Sequence, residues 1–138
     1  MGLRGEGTVV EGDKIMKIRI SRLDRLFSNY IRTRDKWTCR RCSKFYRPPT
    51  SSLQCAHIMG RRSKGTRWHP DNAVALCAGC HIFFTGHPLL FYDWLEAEIG
   101  KEKLDWIKAI SRRPTKFTNF DLQVLEKDLK YKLSLLTC

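Results

Sequence analysis

The residues of this chain best equipped for chemistry sit in its middle third. Cys39 and Cys42 are two residues apart, as are Cys77 and Cys80, and 34 residues lie between the pairs. A Cys-x-x-Cys turn aims two sulfurs at one point, and two such turns complete a tetrahedral four-thiolate shell for Zn²⁺. Four thiolates leave no open position, so such a zinc is structural: it ties the first turn to the start of a later helix. Cys55 and Cys138 fall outside the pairs and read as plain thiols. Between and beside the pairs stand His57, in Cys55-Ala56-His57-Ile58-Met59-Gly60-Arg61-Arg62, then Asn72, in His69-Pro70-Asp71-Asn72, and His81, directly after Cys80. A neutral imidazole has a reference pKa of about 6.5 and can take a proton from water near neutral pH.

Charge indicates what such a base would meet. The chain carries a net charge of +12 over 138 residues. Residues 32–70 hold eleven basic side chains against one acid, Asp35, while the remainder holds fifteen against thirteen. A positive field so concentrated points to a polyanion, and nucleic acid is the common one. Arg61, Arg62, Lys64 and Arg67 follow His57 in a polar stretch, where guanidinium forks and an ammonium suit phosphate oxygens. Acids are scarce here: Asp35 and Asp71 are the only ones near the histidines. Two-metal phosphodiester hydrolysis needs several clustered carboxylates, so that mechanism is disfavoured.

In order and spacing, His57, Asn72 and His81, interleaved with the cysteine pairs over about residues 36–86, resemble the HNH endonuclease family. Its pattern is a His on a strand, an Asn before a second strand and a His beginning a helix next to a Cys-x-x-Cys. The wider segment is similar to phage-encoded members, including those tied to recombination and packaging. The resemblance implies an α+β fold with a ββα-metal core, a four-cysteine structural zinc and flanking helices. It implies a metal-dependent DNA endonuclease or nickase with a one-metal mechanism. In the family pattern His57 is the general base, His81 ligates a catalytic Mg²⁺ or Mn²⁺, and Asn72 holds the loop that carries the base. One position departs from the pattern: many members have Asp immediately before the first His, as a second metal ligand, and this chain has Ala56. Cys55, His69, Asp71, Thr85 and His87 are the candidate substitutes, with water completing the shell. Two other readings share the zinc and the basic segment: a non-catalytic zinc-stabilised nucleic-acid-binding module, and a phage assembly factor. DNA is the expected partner in each, with phage packaging or recombination proteins beside it.

Around these residues the sequence must supply elements that place them. Leu23, Leu26, Phe27, Tyr30 and Ile31 make one apolar helical face, with Ser21 able to cap it and Asp24 in its first turn. Trp37 to Pro49 is turn-like and reads as a metal knuckle. Ser52 to Met59 and Asn72 to Leu76 read as strands separated by a loop over 60–71, and Ala78 to Thr85 begins a helix. Pro88 to Ile110 reads as helix broken near Gly100, with Leu89, Leu90, Trp94, Leu95, Leu104, Trp106 and Ile107 supplying core and Phe83, Phe84 and Phe91 read likewise. Asp121 to Leu136 is a last helix. The division expected is an arm or edge strand over 1–20, a nuclease domain over 21–112 and a helical extension over 113–138. No stretch is apolar enough for a membrane span, and residues 1–12 lack the apolar core of a signal peptide, so a cytoplasmic setting is expected.

Overall fold

The computed structural model describes residues 20–137, so the arm expected over 1–20 lies outside the described residues except for Ile20. The fold is mixed α+β and rich in helix. In chain order it comprises α1 (Arg22–Arg34), β1 (Leu53–His57), a short α2 (Lys64–Arg67), a 3₁₀ turn (Pro70–Asn72), β2 (Ala73–Cys77), α3 (Ala78–Gly86), α4 (Pro88–Ile99), α5 (Lys101–Ser111) and α6 (Asn119–Thr137). The two strands form one antiparallel pair, in which Cys55 faces Ala75 and His57 faces Ala73.

Local chemistry explains where these elements begin. The Ser21 hydroxyl accepts from the Asp24 backbone N–H at 3.1 Å, and the Asp24 carboxylate accepts from the Ser21 N–H at 2.8 Å, which closes a reciprocal capping box on α1. The Cys77 sulfur accepts from the Cys80 N–H at 3.4 Å and caps α3. Gly100 breaks the α4–α5 stretch with φ of +93°, a conformation that side chains with a Cβ rarely adopt. The stretch expected as plain loop, 60–71, contains α2 and leads into the 3₁₀ turn, because Thr66 and Asn72 are fully buried and bring their own hydrogen bonds.

Strand alternation divides the sheet into two faces. Cys55 and His57 share the face toward α1, where Leu23, Phe27 and Ile31 pack with Ala73 and with Leu129 of α6. Gln54 and Ala56 share the other face, toward α3, where Val74, Leu76 and Phe84 form a second cluster. A third cluster joins Ile58 to Leu95, Leu104 and Ile107 of α4 and α5. The helix expected as a C-terminal extension is thus part of the core, because Leu122, Leu125 and Leu129 of α6 pack on α1. Leu89, Leu90 and Trp106, expected in the core, lie instead on the surface at 80%, 48% and 45% exposure. They project from the outer sides of α4 and α5, whose inner sides are already filled by Leu95, Leu104 and Ile107. Among the described residues no helix is long and apolar enough to cross a membrane.

Candidate active cleft and metal centre

The four paired cysteines come together. One ligand atom from each of Cys39, Cys42, Cys77 and Cys80 lies within 4.8 Å of all the others. The first pair sits in a tight ribbon: Thr38 bridges Phe45, the Tyr46 N–H donates to the Trp37 carbonyl at 2.8 Å, and Ser43 takes φ of +67° to turn the chain. The second pair spans the junction of β2 and α3. A tetrahedral zinc with Zn–S bonds of about 2.3 Å requires sulfurs about 3.8 Å apart, and the Cys42 and Cys77 sulfurs are 3.9 Å apart. The donor set therefore fits a closed four-thiolate metal shell. The Arg41 guanidinium lies against it, 3.6 Å from the Cys80 sulfur, with its carbon 4.4 Å from the centre of the Phe83 ring. Burial raises the Cys77 thiol, but contacts from Cys80, Tyr46 and Cys39 outweigh it and bring it down to about 6. Cys80 is pushed up to about 12, first by burial and then by its Cys77 and Cys39 neighbours. Cys55 lies apart from this group, and burial pushes its thiol up to about 12, as suits an inert side chain.

His57 lies at the end of β1 against Phe27, with ring centres 5.6 Å apart. Its Nε2 is 3.0 Å from the Arg67 carbonyl oxygen. A carbonyl only accepts, so Nε2 carries the proton and Nδ1 keeps the lone pair. Burial pushes the His57 pKa down, and the nearby Arg61 and Arg67 charges add to this, whereas the Arg67 carbonyl and Asp24 oppose it. The ring is therefore neutral at neutral pH. It lines a cleft of about 410 Å³, along with Arg25, Arg32, Gln54 and Arg61.

Asn72 holds the loop that follows. Its side-chain oxygen accepts from the Met59 N–H at 2.8 Å, and its nitrogen donates to the Met59 and Thr66 carbonyls at 2.9 and 3.0 Å. Its own carbonyl accepts from the Ile58 N–H at 2.8 Å. Asn72 thus clips both ends of the 59–66 loop to the turn before β2, and the Arg67 carbonyl that orients His57 follows directly.

His81 stands on the first turns of α3, and its Nδ1 meets the Gln54 side-chain oxygen at 2.7 Å. The amide oxygen is an acceptor, so Nδ1 carries the proton and Nε2 is the nitrogen available for a ligand. Gln54 and His57 belong to opposite faces of β1, and no hydrogen bond or ring contact joins His57 to His81. Gln54, which sequence reasoning passed over, is the link: it lines the His57 cleft and touches His81. Its position three residues before His57 was the only signal.

Of the candidate replacements for the missing Asp, Cys55 is a buried thiol whose pKa is pushed up, and the other four are engaged elsewhere. The His69 ring nitrogen accepts from the Asp71 N–H at 3.1 Å, and the ring packs edge-on against Trp106. Thr85 donates to the His81 carbonyl, the His87 ring contacts the Phe83 carbonyl, and Asp71 pairs with Lys103. Among the described residues the four cysteines are the one group of three or more His, Cys, Asp or Glu side chains that converge.

No protein-family model, curated protein or solved structure matches the chain. What the protein does must follow from the cleft itself. Here the basic segment divides in two. Arg32 donates to the Thr50 and Leu53 carbonyls, Arg34 to the Pro70 and Ala73 carbonyls, and Arg40 to Asp35 and Glu98. Arg67, expected at phosphate, is gripped at both ends of its fork by Asp24 at 3.0 and 2.6 Å, with its side chain only 12% exposed. Its guanidinium holds α2 against α1 and is not a free phosphate contact in this fold. Lys64 and Arg62 are exposed, and Arg61 turns into the cleft, where its buried Nε has no hydrogen-bond partner.

Proposed function

We propose that the chain is a DNA endonuclease or nickase of the HNH type, with His57 as the general base. The observation that carries this reading is the state of His57: a half-buried imidazole whose tautomer is set by a backbone carbonyl and whose pKa is held low, lining a cleft with three arginines. Such a ring accepts a proton from water while Arg25 and Arg61 offset the charge of a phosphodiester. Asn72 serves this arrangement by holding the 59–66 loop. The Arg67 carbonyl also stabilises the imidazolium that forms when Nδ1 takes the proton.

The cysteine cluster in this reading binds Zn²⁺ and keeps the ribbon on the β2–α3 junction. For Mg²⁺ or Mn²⁺ the fit is poor. His81 offers one nitrogen, Ala56 offers nothing, and no carboxylate converges on them, whereas Mg²⁺ asks for near-octahedral oxygen ligands. Charge relief on the phosphate thus falls to the arginines in this chain's own cleft. The phage setting and phage packaging or recombination partners belong to the same proposal and rest on the sequence resemblance alone.

The test is incubation of supercoiled plasmid with the purified chain, with and without added Mg²⁺ or Mn²⁺, beside His57→Ala. Conversion to open circles by the wild type and not by the variant is the expected result. Conversion by neither favours the non-catalytic nucleic-acid-binding module, which needs the basic cleft but not the base, whereas equal conversion by both removes His57 as the base.

A further inference from the structure

The His57 cleft does not end at β1. A second, wider cavity of about 780 Å³ adjoins it, and the two share Arg32 and Ser51. Together they make one groove beside the unpaired edge of β1, with α1 as one wall and the 48–51 turn as the other. At the His57 end Arg25 projects from α1, and Arg61 faces the same cavity with its Nε buried and lacking an acceptor. The single acid lining either cavity, Asp24, is already neutralised by Arg67 at 2.6 Å. At the far end Trp37, Pro48 and Pro49 supply an apolar floor. Arg32 joins the two ends: it donates to the Leu53 carbonyl at 3.1 Å, and its guanidinium carbon lies 4.7 Å from the Trp37 ring centre.

A positive groove that tracks the sugar–phosphate backbone, next to an aromatic surface for bases, is how proteins hold single strands. In an unbroken duplex the bases are stacked inside and cannot reach such a floor. We propose that this groove is the track of one DNA strand: a phosphate sits between Arg25 and Arg61 beside His57, and the base of a neighbouring nucleotide lies against Trp37 and Pro49. The substrate class that follows is DNA with a single-stranded stretch, such as an overhang, gap or flap. This deepens the nuclease reading and rests on it only for calling the phosphate beside His57 the scissile one.

The experiment is fluorescence anisotropy of a labelled single-stranded oligonucleotide and of the blunt duplex of the same sequence, without added divalent ions. The single strand is expected to bind about tenfold more tightly than the duplex. With about four phosphates contacted, log K should fall against log salt with a slope of about −3. Arg25→Glu and, at the Trp37 end, Asn29→Glu are each expected to weaken single-strand binding by about tenfold or more. Arg113→Glu makes the same charge change as Arg25→Glu on an exposed residue outside the groove and is expected to have little effect. Both groove positions are solvent-accessible, and unchanged circular dichroism and metal content would confirm that the variants fold. Equal or tighter binding of the duplex, or equal weakening by Arg25→Glu and Arg113→Glu, overturns the proposal. Because binding needs no turnover, the two readings fail separately. Plasmid nicking without this binding pattern removes the strand track alone, and the pattern with no cleavage of plasmid or of gapped and flapped duplexes removes the nuclease alone.

Discussion

At the scale of single residues, the proposed division of labour has a rescue signature. A general base acts in the transition state and adds little to ground-state binding, so His57→Ala should lower turnover by about 10²–10⁴-fold with DNA affinity nearly unchanged. High Mn²⁺ should not restore it. His81 meets only Gln54 and no carboxylate converges on it, so His81→Ala should cost less turnover than His57→Ala in plasmid assays; an equal or larger loss, restored by Mn²⁺, would make His81 a metal ligand after all. Asn72 gives a stability prediction that needs no catalysis. Its side chain is fully buried and makes three hydrogen bonds to backbone. Asn72→Ala leaves those groups without a partner and should cost about 2–3 kcal/mol in denaturant unfolding. Asn72→Asp should be no better, because a carboxylate cannot donate to the Met59 and Thr66 carbonyls. That Asn72 holds the loop after His57 was expected from the resemblance to the HNH pattern, and its bonds to Met59 and Thr66 fit that expectation. Gln54 was not legible in the sequence, since a glutamine on a strand has no spacing rule that marks it. Nor was the commitment of Arg67, because its partner Asp24 lies 43 residues away.

The elements show why some of the site could be read in advance and some could not. α1, the two strands and α3 were foreseeable because each carries its own signal: Ser21 with Asp24 at one start, the apolar spacing along α1, and a Cys-x-x-Cys at the β2–α3 junction. The packing of α6 on α1 had no such signal. Leu122, Leu125 and Leu129 form a stripe that fits any apolar face, and only the tertiary fold selects α1. The same holds for how α2 is fastened. Asp24 receives both arms of Arg67, the Trp68 ring N–H at 2.9 Å and the Ser21 hydroxyl at 2.9 Å, with 6% of its surface exposed. Although burial raises its pKa, the Arg67 fork and the Ser21 backbone N–H dominate and bring it to about 2. Asp24→Asn would strand a guanidinium in a nearly closed site and should cost about 3–5 kcal/mol by urea unfolding. It should also impair cleavage, because the residue released, Arg67, owns the carbonyl on which His57 turns. Arg67→Met removes the charge with its partner's need for it only half met, so the double variant should lose less than the sum of the two. Additive losses would mean that α1 and α2 are not joined through this pair. As Asp24 titrates lower in the folded chain than in the unfolded one, its contribution is present above about pH 4 and is lost as pH falls towards 2.

For the whole molecule, two conditions should govern whether the fold persists: protons and metal. His57 and His69 are both held below the usual histidine range by burial. The unfolded chain therefore binds protons near pH 6.5 that the folded chain refuses, and stability must fall as pH drops below that value. The melting temperature should decline from pH 7 to 5, and the decline should be shallower in His57→Gln; an identical decline would remove His57 as a contributor. Metal is the stronger control. Cys39, Cys77 and Cys80 are buried in the cluster formed with Leu53, Val74, Leu76 and Phe84, so the metal shell and the sheet's α3-side core share the same side chains. Only Cys42 of the four is exposed. In a chain of 138 residues the net stability is on the order of 5–15 kcal/mol, while a structural zinc supplies apparent binding energy of about 10–16 kcal/mol in small zinc domains. Loss of the ion should therefore unfold the sheet and α3 together, not merely loosen the ribbon over 37–46. Elemental analysis of protein purified without added metal should give one Zn²⁺ per chain. Cys39→Ser, Cys77→Ser and Cys80→Ser should each lower the melting temperature more than Cys42→Ser, since they also place a hydroxyl in the core. Cys55→Ser, outside the shell, should leave zinc content unchanged. A folded, cooperative protein devoid of zinc would overturn the assignment of the shell, and would leave the four convergent sulfurs to be explained as core packing alone.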